Sequence, residues 1–230
     1  MAIVFDADAS SQTEAGGSSL TYSHTVGAGT NTIIVAQPCI LDAIAGASSI
    51  STVTYNGTGM TVVPSSTLAY TLLGTYDITI AHYGLVAPAT GAHDVVVTAS
   101  ENCDQISCGS HSWFGVHQSA SFGTANTATG TDASPTADIA SAVGEVVVAS
   151  VSALEASEGS FASADTQRWL QGSPSGLTIQ GGESQTGAAS VTMNWTGAMG
   201  GGFEWGVSGV SLKSATVIPK FMAQYRQRWH

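Results

Sequence analysis

Positive charge is what this sequence lacks most. Residues 1–167 contain no lysine or arginine, and Arg168 is the one cation before Lys213. All sixteen acids lie at or before Glu204, so residues 1–212 carry a formal charge of −15, whereas residues 213–230 carry +4. Phosphate backbones are held by clustered Lys and Arg, so an acidic body of this kind argues against nucleic-acid binding. There is no window of about 20 apolar residues, which argues against a membrane-spanning helix. The opening MAIVFDADAS has no charged n-region, no long apolar h-region and no small-residue cleavage site, so a classical secretion signal is not expected.

Cysteine is scarce too. Cys39, Cys103 and Cys108 are an odd set, which rules out complete internal pairing. Free thiols are the expectation for a chain made in a reducing cytosol. The alternative is a Cys103–Cys108 bridge closing the short ENCDQISC loop. Catalytic patterns are missing as well. No G-x-S-x-G elbow with a downstream Asp and His occurs, and GAMGGGFEW lacks the Lys and helix of a phosphate loop. Acid pairs such as Asp6 with Asp8 or Glu155 with Glu158 read as a solvated acidic face. The DxD of FDADAS lacks a third placed acid for calcium. Six histidines, among them His82 with His93 and His111 with His117, sit in no recognised ligand motif. No enzyme activity, metal or cofactor is expected.

What is present is a chain rich in Gly, Ser, Thr, Ala and Val, which suits short strands joined by turns. Alternating or β-branched runs recur from Ile3–Asp6 to Glu204–Leu212, with Asn56–Gly57 marking a tight hairpin. The stretch 119–134 reads as a loop. More than a dozen strands without helical periods predict an all-β antiparallel sandwich, jelly-roll-like, over residues 1–214, followed by a short helical or extended tail at 215–230. YGLVAPATGAHDVVVTAS and LTIQGGESQTGAASVTMNWTG resemble each other loosely, which the common geometry of meander hairpins explains without a functional repeat.

The segments LTYSHTVGAGTNTIIVA, VTYNGTGMTVV, YGLVAPATGAHDVVVTAS and WGVSGVSLKSA resemble β-sandwich domains of phage structural proteins and of large bacterial surface or secreted proteins. The resemblance spans most of residues 5–214. It implies a lectin-like or jelly-roll sandwich and carries no catalytic motif. The chain departs from secreted members in its missing leader and its added tail.

Four tryptophans, Trp113, Trp169, Trp195 and Trp205, lie in or beside strands, where core packing is the first expectation. Trp169, beside Arg168 in the polar TQRWLQG segment, is the best candidate for a glycan contact. The tail VIPKFMAQYRQRWH is the sharpest feature. Pro219 can open a helix on which Phe221, Tyr225 and Trp229 recur at four-residue intervals beside Met222, with Lys220, Arg226 and Arg228 around them. Its aromatic stripe needs a covering surface, either its own sandwich or another subunit. The expectation is a virion structural protein, a capsid decoration or fibre component, homo-oligomeric and assembled in the host cytoplasm. The alternative is a carbohydrate-binding adhesin or module at a cell or virion surface. No nucleic-acid or membrane partner is expected.

Overall fold

The computed structural model describes residues 1–13, 16–43, 48–154, 162–172, 178–196 and 204–215. Among these residues are nineteen strands and no helix. They are β1 (Val4–Thr13), β2 (Gly17–Val26), β3 (Ile33–Asp42), β4 (Ile50–Tyr55), β5 (Thr58–Gly59), β6 (Thr61–Val62), β7 (Leu68–Leu72), β8 (Tyr76–Ile80), β9 (Tyr83–Val86) and β10 (Gly91–Cys103). The chain continues with β11 (Gln105–Phe114), β12 (Asn126–Gly130), β13 (Thr136–Ala140), β14 (Val146–Leu154), β15 (Ala162–Ser163), β16 (Thr166–Gly172), β17 (Thr178–Thr186), β18 (Ser190–Thr196) and β19 (Trp205–Leu212).

The first eleven strands wrap as a folded ribbon. β1 pairs with β11, β2 with β10, β3 with β8 and β9, and β4 with β5, all antiparallel. This nesting yields two facing sheets, β1-β11-β3-β8-β7 and β2-β10-β4-β5, with β9 and β6 joined to the first. First strand with last and second with next-to-last is the wrap of a jelly roll, the architecture expected from the sequence. Alternate residues of β3 and β11 (Ile34, Ala36, Ile40, Ile106, Cys108) pack against Leu20, Val53, Tyr55, Val95 and Val97 of the facing sheet. Asn56 and Gly57, at φ 48° and 70°, make the predicted tight turn between β4 and β5.

The remaining strands repeat the plan. β12-β19-β14-β17-β16 faces β13-β18-β15, matching the first pair strand for strand, with β17 in the place of β8 and β9 together, except that the outer β5 and β6 have no counterpart. Its core joins Val147, Ala149 and Val151 to Ile139, Val191, Met193 and Trp195. Where one sandwich is expected over residues 1–214, the strands therefore form two sheet pairs, each with its own core. Sequence agrees in register: IIVAQPCIL of β3 and VVVASVSAL of β14 fill equivalent strands, as do GAHDVVVTAS and GAASVTMNWT around β10 and β18. The two similar segments, expected to be meander hairpins, are not hairpins: in each the first strand (β9 or β17) and the second (β10 or β18) belong to different sheets, and their likeness marks a repeated topology.

The two pairs stack through their larger sheets. β3 and β19 are buried along their whole length and β11 up to Ser112 and Trp113, because one face covers its own sandwich core and the other covers the opposite sandwich. Isoleucine, valine, tryptophan and leucine at one end of this seam (Ile33, Val35, Trp113, Val148, Val210, Leu212) form a third cluster. Two local departures from the sequence reading have simple causes. The strand expected at 112–118 begins at Gln105 and stops at Phe114, where Gly115 turns the chain at φ 77°. The stretch 119–134 contains β12, an edge strand too polar and short to show alternation, and Phe122 fits against Gly84.

An aromatic ring from an outer strand of each pair lies on a glycine of the other: Tyr70 of β7 on Gly206 of β19, and Trp169 of β16 on Gly109 of β11. A methyl group at either glycine meets ring carbon directly. We expect Gly109→Ala and Gly206→Ala each to cost about 1–3 kcal/mol through overpacking. Urea melts showing either substitution as neutral would disprove this close approach.

Candidate functional site

The middle of the seam is polar although it is buried. Trp169 donates from Nε1 to Gln37 Oε1 at 2.7 Å, and the Gln37 amide nitrogen stands 3.5 Å from His82 Nδ1. His82 Nε2 lies 3.0 Å from the Ser208 carbonyl oxygen, which places its proton on Nε2. A chain of hydrogen bonds therefore crosses from one sandwich to the other. Beside it, Trp113 donates to His111 Nδ1 at 2.7 Å, and Tyr70 donates to the Ser152 carbonyl at 2.8 Å. Burial lowers the His82 pKa to about 4. His111 is pushed well below its ordinary value, by burial first and then by His82, Arg168 and His24. His24, inside the first sandwich between Ser110 and Ser112, is lowered by burial to about 4. These imidazoles are neutral near pH 7, and they pack the fold instead of titrating for chemistry.

At one edge the seam opens into a groove of about 410 Å³. Phe5 of β1, Trp113 of β11 and Val146 of β14 form part of its wall, and Asp165, Arg168 and Ser184 form another part. The Arg168 guanidinium lies over the Phe5 ring at 3.8 Å and 5.0 Å from the Trp113 ring centre. Its Nε donates to Ser184 Oγ at 2.7 Å. Asp165 accepts a hydrogen bond from Gln185, and burial raises its pKa. Behind it, Glu183 is fully buried, accepts a hydrogen bond from Ser163, and has its pKa raised to about 8, chiefly by burial. No sequence signal marks Glu183, because GGESQT reads as the loop that follows a strand ending at Gln180, whereas β17 continues to Thr186.

The proposed sugar contact at Trp169 does not survive. Its residue is 4% exposed, both Gly109 and Gly182 lie against its ring, and no face is left for a saccharide. Arg168, its neighbour, sits at a β-bulge of β16 between Gln167 and Trp169, packs on Phe5 and Trp113 of the opposite sandwich and lines the groove. Trp113, Trp195 and Trp205 are buried, as expected. The Cys103–Cys108 bridge is also corrected: all three thiols are free. The supposed loop is a tight crossover between the two sheets, in which β10 runs to Cys103 and β11 starts at Gln105, and the thiols have separate partners. Cys103 lies 3.3 Å from the Gly17 carbonyl, whereas Cys108 accepts from the Tyr22 hydroxyl at 3.2 Å. Asp6 is occupied by Gly27 N and Ser112 Oγ, at 2.8 and 2.7 Å. Among the described residues no group of three or more His, Cys, Asp or Glu is placed to hold a metal.

Pro219, Lys220, Phe221, Met222, Tyr225, Arg226, Arg228 and Trp229 lie outside the described residues. Their point of departure is well fixed. Ala215 N donates to the Gly115 carbonyl at 2.7 Å, and the Met1 ammonium donates to the Ala215 carbonyl at 3.0 Å. Met1 and Ala215 are therefore held together.

The class these features define is a tandem jelly-roll protein. Compared with protein-family models, curated proteins and solved structures, the chain matches none.

Two outcomes follow from the buried groups. Between about pH 4 and 6.5 the unfolded chain binds protons on His24, His82 and His111 that the folded chain does not, so stability rises with pH there. Glu183 works in the opposite sense: between 4.5 and about 8 the folded chain keeps a proton that the unfolded chain releases. With three histidines against one glutamate, stability peaks near pH 6.5 and declines toward pH 8, and Glu183→Gln flattens that alkaline decline. Urea melts across pH 4–9 measure both limbs. Burial also raises the thiols, Cys39 and Cys108 to about 12 and Cys103 to about 11. A thiol reagent at pH 8 is expected to label none of them in the native protein and all three in urea.

Proposed function

We propose that the chain is a non-enzymatic virion structural protein of a phage, a capsid decoration or fibre component, whose terminal segment docks on neighbouring subunits. The observation that carries this reading is the anchored exit at Ala215. A basic, aromatic segment begins where the backbone is tied to both Gly115 and Met1, on a body with a strongly acidic sequence. A docking segment transmits binding to its body when the junction is fixed, and large aromatics with Arg are the residue types that anchor interfaces.

The tandem jelly-roll body supports the same reading. Among the described residues, two cores and a shared seam leave few large apolar side chains outside, which suits a module that stands among other surfaces without aggregating. The resemblance of its strand segments to phage and bacterial surface sandwiches motivates the same reading. Assembly in the host cytoplasm and a symmetric homo-oligomer belong to the proposal.

Deleting residues 217–230 is expected to abolish incorporation into particles while the body keeps its melting transition. Normal incorporation of that truncation would rule out docking through this segment.

A further inference from the structure

We propose that the groove at the edge of the seam binds a carboxylate-bearing saccharide, with Arg168 as the residue that holds the carboxylate. The inference is separate from the tail and stands or falls without it.

Arg168 is the only cation in residues 1–212. In so acidic a chain the simplest role for one arginine is an ion pair, yet among the described residues it forms none. Asp8 influences it, and is influenced by it, only at longer range. Of the five guanidinium N–H donors, the one on Nε is used by Ser184, and the other four have no partner among the described residues. Stacking on Phe5 holds the guanidinium at the groove, and two of its unused donors are what a carboxylate accepts with two oxygens. The fork is thus held in place by neighbours that do not neutralise it.

The rest of the groove selects among carboxylates. A volume of about 410 Å³ is within the range of small-ligand clefts. Hydroxyl and amide side chains, Thr166, Gln185 and Thr186, line one side, and Ile3 and Val146 line another. That mixture matches a ring bearing hydroxyls on its rim and C–H groups on its face. A fatty acid needs a deeper apolar pocket, and a phosphorylated ligand calls for more than one cation. Asp165, the one acid in the lining, accepts a hydrogen bond from Gln185 on one of its oxygens.

The probe is a galacturonic-acid oligosaccharide, titrated into the full chain by calorimetry and followed by the NMR shift of Arg168 Nε–H. The expected result is saturable binding with a shift at Arg168, weakened at least tenfold in Arg168→Gln, with neutral galacto-oligosaccharide at least tenfold weaker. Because Arg168 also clamps β1 to β17, Thr186→Trp is the second variant. Thr186 is exposed, so this change fills the groove from its rim without entering the core, and it is expected to abolish binding at unchanged melting temperature. No binding of the uronic oligosaccharide, or binding that survives Thr186→Trp, overturns the site. Equal binding of the neutral sugar overturns the role of Arg168, and competition by acetate at equal concentration overturns the saccharide.

Discussion

Everything else in this molecule depends on the two larger sheets burying both of their faces. Each covers a jelly-roll core on one side and meets the other sheet on the opposite side. A strand in that position has nowhere to place a charge, and a polar side chain there must find a partner. The solution is a seam built from isoleucine and valine at one end and from Ser, Gln, Gly and neutral His at the middle. Gln37, His82, Ser208 and Trp169 satisfy one another across it, which fixes how the two halves meet.

The same constraint determines what reaches the surface. A β-bulge in β16 interrupts the alternation at Arg168, so Trp169 is buried on Gly109 and Gln37 while Arg168 lies over Phe5 and Trp113 at the groove. The constraint also explains the glycines. Gly109 and Gly206 lack side chains because a ring from the other half occupies their space. The exit of the chain at Ala215 lies at the seam for a related reason: β19 is a central strand, and Val116 bridges to Ser214 just beyond it.

Much of the fold was legible. The jelly-roll-like class, the Asn56–Gly57 turn and most strand positions follow from periodicity and turn residues, which act locally. Three things were not legible. The edge strand β12 has too few large residues to alternate, the ENCDQISC segment looks like a loop although only Asp104 separates two strands of different sheets, and the repeat is carried by registers of apolar residues with few identities. Of the candidate site, Arg168 was legible as the lone cation of the body, whereas Glu183 and the groove were invisible, since they arise from residues far apart in the chain.

By itself the sequence determined the strand content, the absence of helix-forming stretches in the body, and the separation of an acidic body from a basic aromatic end, because composition and period-two patterning act over a few residues. Only the tertiary structure decided that the strands form two jelly rolls and not one, that Trp169 is buried, and that Cys103 and Cys108 stay apart. Those outcomes depend on which sheet faces lie against each other, and that is settled by packing between segments far apart in the chain.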